Sequence, residues 1–304
     1  MKKAFKIVGV LVLAVLLALF LAPILLEDKI IERVKKEINV NVNATVDFED
    51  VNLSFIKGFP YPSLSISNLT VSGASPHEAQ QLAQIDELFV KIGLASVLHS
   101  DEPIELVSMT LDKPEFLIYT AKDGTTNTSV LPSNSSSDNS AYSIDIQSYK
   151  IKDGVIKYID LKGKTEATLS GINHTGKGDF SNDQFTLVTD TDIASTTLRS
   201  DNILLAKDVR IQSKLPLEVN LTDNSYQFND GLILLNAFKL NADGKVIVKD
   251  EGIQIDASSR ANNNSIREFI SLIPYAFTKD FEGVDASGQF DYNAKINGVL
   301  CQCR

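Results

Sequence analysis

The sequence has few of the residues that usually carry chemistry. It has no tryptophan and three histidines, and its only two cysteines are Cys301 and Cys303. A body without cysteines has no disulfide framework. The Cys-x-Cys pair could bind a soft metal, but two thiolates without a nearby histidine make a weak site. His77, His99 and His174 lie far apart, as hydrogen-bonding or solvated residues would. We therefore predict no metal site.

Motifs of catalysis and of cofactor binding are also missing. The chain has no Gly-x-Ser-x-Gly motif, and the glycines of "GINHTGKGDF" (171–180) lack the spacing of a phosphate loop or a dinucleotide fingerprint. Its carboxylates are concentrated at turns, where solvated acids belong. These absences predict a protein that is not an enzyme and that binds no cofactor.

Positive charge is in deficit as well. The chain has 29 lysines and arginines against 39 acidic residues, and its net charge is −10. Nucleic-acid phosphates would be repelled by such a surface, so we expect no nucleic-acid partner.

The N-terminus contains the one long apolar run. Residues 7–26 carry no charge, three lysines precede them, and Glu27 and Asp28 follow. At ~1.5 Å per residue, such a helix is roughly 30 Å long and matches a bilayer core. The charge asymmetry predicts that residues 1–26 are a cytoplasmic stub and a transmembrane signal anchor. A cleaved signal peptide is the alternative, but the run is long for one and Leu-Ala-Pro is a poor cleavage site.

Beyond the anchor, the period of the apolar residues changes. Residues 27–39 have helical spacing and predict a short amphipathic helix. The following "INVNVNATVDFE" alternates strictly, which predicts a strand with one dry and one wet face. The alternation slips at Glu49-Asp50, where a bulge or a turn would keep the apolar face on the same side. The apolar members of the run are Ile38, Val40, Val42, Ala44, Val46 and Phe48.

The same alternation continues to the end of the chain and predicts a β-rich domain over residues 40–300. Asp-Gly pairs at 123, 153, 230 and 243 predict turns of a long antiparallel meander. The segment 103–127 is interpreted as a hairpin that turns at Asp112-Lys113-Pro114. The predicted strands are Ser63–Val71, Leu88–Leu94, Ile104–Leu111, Glu115–Thr120, Ser143–Ile151, Val155–Leu161, Phe185–Thr191, Val209–Leu215, Leu217–Leu221, Leu232–Leu240, Val246–Val248, Ile253–Ala257 and Ala286–Ile296.

Few other segments depart from this pattern. Short helices are predicted after Ser75-Pro76 and over Ser265–Phe277. The Ser/Asn-rich segment near 129–141 is interpreted as a mobile loop. The continuous apolar face could pack against a second sheet as a sandwich core, or it could form an open groove that holds acyl chains. Alternation alone cannot separate these two arrangements.

Three segments carry a resemblance to a known family. "FPYPSLSISNLTVSG", "PIELVSMTLDKPEFLIYTAKDGTTN" and "YKIKDGVIKYIDLKGKTEATLSGINHTGKGDF" resemble the AsmA-like family of Gram-negative envelope proteins, as does "SLIPYAFTKDFEGVDASGQFDYNAKINGV" near the C-terminus. The resemblance implies an inner-membrane anchor, a long taco-shaped periplasmic β-structure with an apolar groove, and a role in outer-membrane biogenesis.

The resemblance also implies partners. They are phospholipid acyl chains, the inner membrane and, in the alternative, outer-membrane assembly components that contact the sheet without lipid transport. A soluble-ligand binding module with a closed core is a third interpretation. On the groove interpretation, the residues expected to face lipid are Val40, Val42, Val46, Phe48, Val209, Ile211 and Leu215.

The C-terminus departs from the family pattern. Members of the family are generally much longer, whereas here the last predicted strand gives way to "NGVLCQCR". Residues 301–304 are interpreted as an aberrant tail of a truncated or frameshifted product. About 16 strands at ~4.8 Å spacing would then give a groove of about 75 Å.

Overall fold

The protein is mainly β. The computed structural model describes residues 44–73, 77, 80–93, 105–128, 147–180, 182–249, 252–274, 277 and 286–301. Their strands are β1 Val46–Asp47, β2 Asp50–Ser54, β3 Ser63–Ser72, β4 Gln81–Ile92, β5 Leu106–Thr120, β6 Ser148–Asp160, β7 Thr165–Lys177, β8 Gln184–Ser200, β9 Ile203–Asn220, β10 Ser225–Leu235, β11 Phe238–Lys249, β12 Gly252–Ser265 and β13 Gln289–Cys301. The helix α1 is Ile266–Ile270.

All of these strands belong to one 13-stranded sheet. Strands β3 to β13 pair in chain order, and β1 and β2 both pair with β3. Every pairing is antiparallel except that of β5 with β6, which is parallel. The prediction of a purely antiparallel meander is therefore wrong at this pair. The reason is that β6 begins beside the start of β5, with Ser148 paired to Ser108. No local sequence pattern encodes this placement.

The predicted phase slip near Glu49 is present. The edge strand is interrupted between Asp47 and Asp50. Opposite the interruption, Asn68 has a φ of 50° and its side chain hydrogen bonds to Glu49. Val46 and Val51 both pack against one cluster, so the slip keeps the apolar side chains on one face.

Several predicted turns are bulges instead. Strand β5 runs without a turn through Asp112-Lys113-Pro114, so the predicted hairpin is wrong. Asp153 and Asp230 likewise lie inside β6 and β10, and both have a positive φ. Asp, Asn and Gly tolerate the left-handed conformation that turns and many bulges both need, so one sequence signal predicts either. The strand-internal residues with positive φ are Asn68, Lys113, Asp153, Gly171, Asp208, Asp230 and Asn263.

Because strands that were predicted separately merge, the described sheet has 13 strands rather than about 16. Predicted strands on either side of Pro216 are both parts of β9. Asp243-Gly244 lies within β11 and is not a turn. The prediction of one strand over 232–240 is wrong, because β10 and β11 are joined there by a turn at Asn236-Ala237, where Asn236 has a φ of 54°. The turn predicted at Asp123-Gly124 is confirmed, with Gly124 N–H donating to the Ala121 carbonyl over 2.9 Å.

The helices are shorter than predicted. Helix α1 begins after Ser265, whose hydroxyl accepts a hydrogen bond from Arg267 N–H, and it ends at Ile270. The helix predicted after Ser75-Pro76 is wrong at its end, because β4 begins at Gln81. Ala83 and Ile85, two residues apart, are both buried and pair with Val71 and Leu69 of β3, so this segment packs as a strand.

Several predictions fall outside the described residues. These include the anchor in 1–26, the amphipathic helix 27–39, the loop near 129–141, and the end of the tail beyond Cys301, which is the last residue of β13. Within the described ranges, no helix is both long and apolar enough to cross a membrane.

A cluster of buried apolar residues lies at one end of the sheet, and further buried residues such as Ile172 and Phe238 lie along the later strands. The members of the cluster come from β2 to β4 and the residue after β2, with Ile66 only 2% exposed. Strands β1 and β5 add partly buried residues such as Val46 and Met109. The buried core cluster is Leu53, Phe55, Leu64, Ile66, Leu69, Ile85, Val90 and Ile92.

Candidate functional site

One face of the sheet is apolar across most of its strands. Residues paired directly across a ladder point to the same side, so the register identifies which side chains share a face. Leu111 pairs with Ile151 and Phe116 with Ile156, which carries this apolar face across the parallel pair. Pro114 packs beside Gly154, where an added Cβ would lie 3.2 Å from the proline ring. A central row of the face runs through Leu69, Ile85, Pro114, Gly154, Ile172, Ile193, Ile211, Leu235 and Phe238.

The bulges preserve this face. In β6, Ile151 and Ile156 lie on the same side although their numbers differ in parity, because the register shifts between Ile151 and Gly154. The same shift occurs in β10 between Phe228 and Gly231. One extra residue per strand resets the alternation and bends the strand. The apolar side chains on either side of such a bulge therefore stay on one face of the sheet.

The predicted lipid-facing residues are placed as follows. Val209, Ile211 and Leu215 lie on one side of β9, where Val209 is buried and the other two are half-buried. Val46 and Phe48 are half-buried against the buried core cluster. Val40 and Val42 lie outside the described residues.

Beyond the buried core cluster the apolar face is unevenly covered, and Ile172, Ile193 and Phe238 of the central row are buried. Ile211 and Leu235 are half-buried, and Ile296 on β13 is 66% exposed although its ladder partner is Ala257 of the same face. The opposite side chains of β7 to β9 are mostly exposed and polar. The alternation thus separates a wet face from a face that is apolar but not closed.

Glycines on the apolar face make room for larger neighbours. A Cβ atom on Gly176 would collide with the Tyr149 ring, and one on Gly244 would lie 2.5 Å from the Phe228 ring. Both rings therefore occupy the space that a side chain at the glycine of the neighbouring strand would fill. Sequence reasoning missed these pairs, because the partner of a strand glycine depends on register.

The apolar face also contains a group of polar residues in contact with one another, which sequence reasoning missed. Tyr149 Oη lies 2.9 Å from His174 Nε2, and His174 Nδ1 lies 2.8 Å from Thr191 Oγ1. These residues come from β6, β7 and β8, and all three are half-buried. We call them the hydroxyl–imidazole cluster. His174 and Thr191 occupy positions of two alternating runs where an apolar residue is expected, and this departure is the signal that could have found the cluster.

Burial keeps this cluster uncharged near neutral pH. Partial burial lowers the pKa of His174 below its ordinary value, and the nearby Asp190 carboxylate opposes that shift. Burial also raises the pKa of Tyr149. Both changes favour the neutral form. The cluster therefore offers hydrogen-bonding atoms on the apolar face without placing a charge there.

The other face of the same strands carries ion pairs. Arg210 contacts Asp192 at 2.6 Å, and its hydrogen bonds hold the pKa of that carboxylate below the usual value. Arg260 bridges Asp230 and Asp243 at 2.7 Å each. These pairs are largely exposed, so they contribute little stability but identify the water-facing side.

The remaining histidine in the described part of the chain is structural. His77 Nε2 lies 3.0 Å from Thr125 Oγ1, which ties the residues before β4 to the turn after β5. Among the described residues, no group of three or more His, Cys, Asp or Glu side chains is arranged to hold a metal. His99 lies outside them.

Comparison with known proteins gives no identification. No protein-family model and no curated protein matches the chain. The resemblance to the AsmA-like family therefore stays a prediction from sequence.

Proposed function

We propose that the chain is an inner-membrane-anchored periplasmic protein of outer-membrane biogenesis that holds or conducts phospholipid acyl chains along its apolar face. The observation that carries the proposal is the continuity of this face from β3 to β13, combined with its incomplete cover beyond β5. The anchor, the location and the biological process are supported by the sequence pattern of residues 1–26 and by the AsmA-like resemblance.

The energetics favour an apolar ligand. Apolar surface exposed to water costs about 25 cal/mol per Å², and each methylene group buried on it contributes about 0.8 kcal/mol. An acyl chain of a dozen or more methylenes therefore binds such a face strongly without specific contacts. Eleven strands at ~4.8 Å spacing give a path of about 50 Å, which is longer than one acyl chain.

The shape that best fits this function is a groove. The strand-internal bulges bend the sheet, and a curved sheet encloses the side chains of its concave face. Ion pairs such as Asp192–Arg210 would then face water on the convex side. This arrangement is the taco-like groove that the family resemblance implies.

Site-specific photocrosslinking tests the proposal with a matched pair of positions. Ile211 lies on the apolar face, while the adjacent Gln212 points to the other face and hydrogen bonds to Asp192. A photoreactive residue at 211 in the full chain, expressed in a Gram-negative host, should crosslink to phospholipid, and one at 212 should not. Equal lipid labelling at both positions, or none at either, would contradict the proposal.

A second function is favoured by the last strand. Strand β13 has β12 as its only ladder partner among the described residues, and Ile296 and Val299 are 66% and 58% exposed. Such an edge can pair with a strand of another protein, as a factor for outer-membrane assembly would require. A photoreactive residue at Val299 that yields a protein adduct, with no lipid adduct at Ile211, would favour this assembly role.

A further inference from the structure

The hydroxyl–imidazole cluster interrupts the apolar face at a defined place. His174 pairs directly with Thr191, and Thr191 pairs with Ser213 of β9. This polar row lies two residues along the strands from the central row of Ile172, Ile193 and Ile211, or about 7 Å away. A ligand on the central row would therefore have hydrogen-bonding groups within reach at one side of it.

The cluster has more hydrogen-bond donors than internal hydrogen bonds. A neutral imidazole has one N–H donor and one acceptor nitrogen, and here each nitrogen contacts a hydroxyl. If Tyr149 donates to Nε2, then Nδ1–H donates to Thr191 and the Thr191 hydroxyl hydrogen is unused. In the other tautomer the Tyr149 hydroxyl hydrogen is unused. Either way, one hydroxyl hydrogen has no acceptor within the cluster.

An unused donor on an apolar face favours one kind of ligand atom. Because the cluster is neutral and half-buried, the group that satisfies it is a hydrogen-bond acceptor attached to an otherwise apolar molecule. The carbonyl oxygen at the head of an acyl chain has this chemistry. Aromatic rings flank the position, with Tyr149 6.2 Å from Phe180 and Phe180 4.7 Å from Phe185, so the neighbouring surface is also apolar.

We propose that Tyr149, His174 and Thr191 bind the carbonyl oxygen at the head of an acyl chain and so fix the position of the lipid along the apolar face. The inference rests on the proposed lipid-binding function and deepens it by naming the atom that is recognised. The carbonyl can come from the ester of a phospholipid or from the carboxylate of a free fatty acid.

Two pairs of lipids test this inference: the members of the first differ only in the carbonyl, and those of the second differ also in charge. The full chain, purified in dodecyl maltoside, is incubated with equal amounts of diester and diether phosphatidylglycerol and examined by native mass spectrometry. A second pair is palmitate and hexadecanol. One lost hydrogen bond corresponds to about a fivefold change in affinity. We expect about a fivefold preference for the carbonyl-containing member of at least one pair. Preference in the first pair identifies a phospholipid, and preference only in the second identifies a free fatty acid.

The decisive variant is Tyr149→Phe, His174→Leu and Thr191→Val together, since any single change leaves another donor in place. The preference should vanish in this variant, whose folding is checked by circular dichroism. The control is Thr186→Val, which makes the same chemical change on the exposed side of β8 and should keep the preference.

The outcomes separate the two proposals. Equal binding of both members of each pair to the wild-type chain, or a preference that survives the triple change, would overturn the carbonyl assignment while leaving acyl-chain binding intact. If no lipid binds the wild-type chain, the proposed function and this inference both fail.

Discussion

The two ends of the sheet use the same alternation differently. In β2 to β4 the apolar face is a closed core, where Leu64 and Ile92 are each 3% exposed. From β6 onward the same face carries buried residues, such as Phe238 at 3% exposed, beside half-buried ones, such as Ile211 and Leu235. Alternation therefore determines which side chains share a face, but it does not determine what covers that face.

The connections between strands account for part of this difference. After β2, residues 55–62 fold back on the sheet, with Phe55 6% exposed and Pro62 among the largest fully buried side chains. The Pro62 carbonyl accepts a hydrogen bond from Ile92 N–H over 3.0 Å. From β6 to β12 the connections are short, such as the turns Asp201-Asn202 and Asn236-Ala237, and have no residues to spare for covering a face. After β12 the connection is longer, and Phe269 of α1 packs against Phe238 with ring centroids 5.7 Å apart.

The largest expected effect comes from truncating one apolar residue in each region. Ile66→Ala should lower the free energy of unfolding by about 3–4 kcal/mol, because Ile66 is 2% exposed in a closed core. Ile211→Ala removes the same atoms from a half-covered position and should cost about 1–2 kcal/mol. Urea unfolding measures both values. Equal losses would show that the later strands are as well covered as the first.

A smaller effect is expected at the strand that separates the two regions. Lys113 in β5 has a φ of 44°, which a β-branched side chain adopts only with strain. Lys113→Val should therefore cost about 1–2 kcal/mol of unfolding free energy. Lys113→Gly should stay within about 1 kcal/mol of wild type, since its ion pair with Asp86 is exposed. Similar losses in both variants, measured by urea unfolding, would argue that the bulge conformation is unimportant.

The smallest effect is a pH dependence confined to the later region. The pKa of His174 is lowered in the folded protein, so the unfolded chain binds this proton more readily. Stability from neutral His174 is then fully present above pH 6.5 and is lost as the pH falls through the lower folded value. The difference in urea midpoint between wild type and His174→Gln should narrow or reverse between pH 7 and pH 5.

The surroundings of His174 supply a control for this prediction. The charge that opposes the shift is Asp190, and the neighbouring Tyr149 is neutral over this range. Asp190→Asn should deepen the loss of stability on acidification, because it removes the charge that favours imidazolium. A pH profile unchanged by either substitution would show that His174 does not titrate differently on folding.

The sequence predicted the strands better than their connections. Period-two alternation found β3, β8 and β13 within a few residues of one end, because it reflects which side chains leave water. Asp112-Lys113-Pro114 and Asp153-Gly154 were assigned as turns because bulges require the same left-handed residues. The parallel pairing of β5 with β6 was not predictable, since it depends on contacts between distant segments.

The candidate site divides in the same way. The side of β9 that carries Val209, Ile211 and Leu215 follows from alternation alone. The contacts of His174 with Tyr149 and Thr191 need the register of three strands, including a bulge in β6. A single-residue slip in that register would turn these side chains to opposite faces, so local pattern gives the face but not the cluster.

The parallel pair also sets an order of assembly. The antiparallel neighbours from β6 to β12 are joined by connections of two to six residues, so these ladders form from contacts close in the chain. The β5–β6 ladder instead requires the longer segment from Thr120 to Ser148 to close a loop first, which costs entropy before any pairing compensates for it. We therefore expect strands β1–β5 and strands β6–β13 to fold as two separate nuclei. The β5–β6 ladder should be the last to form, and it should be the first to separate when the chain is pulled mechanically.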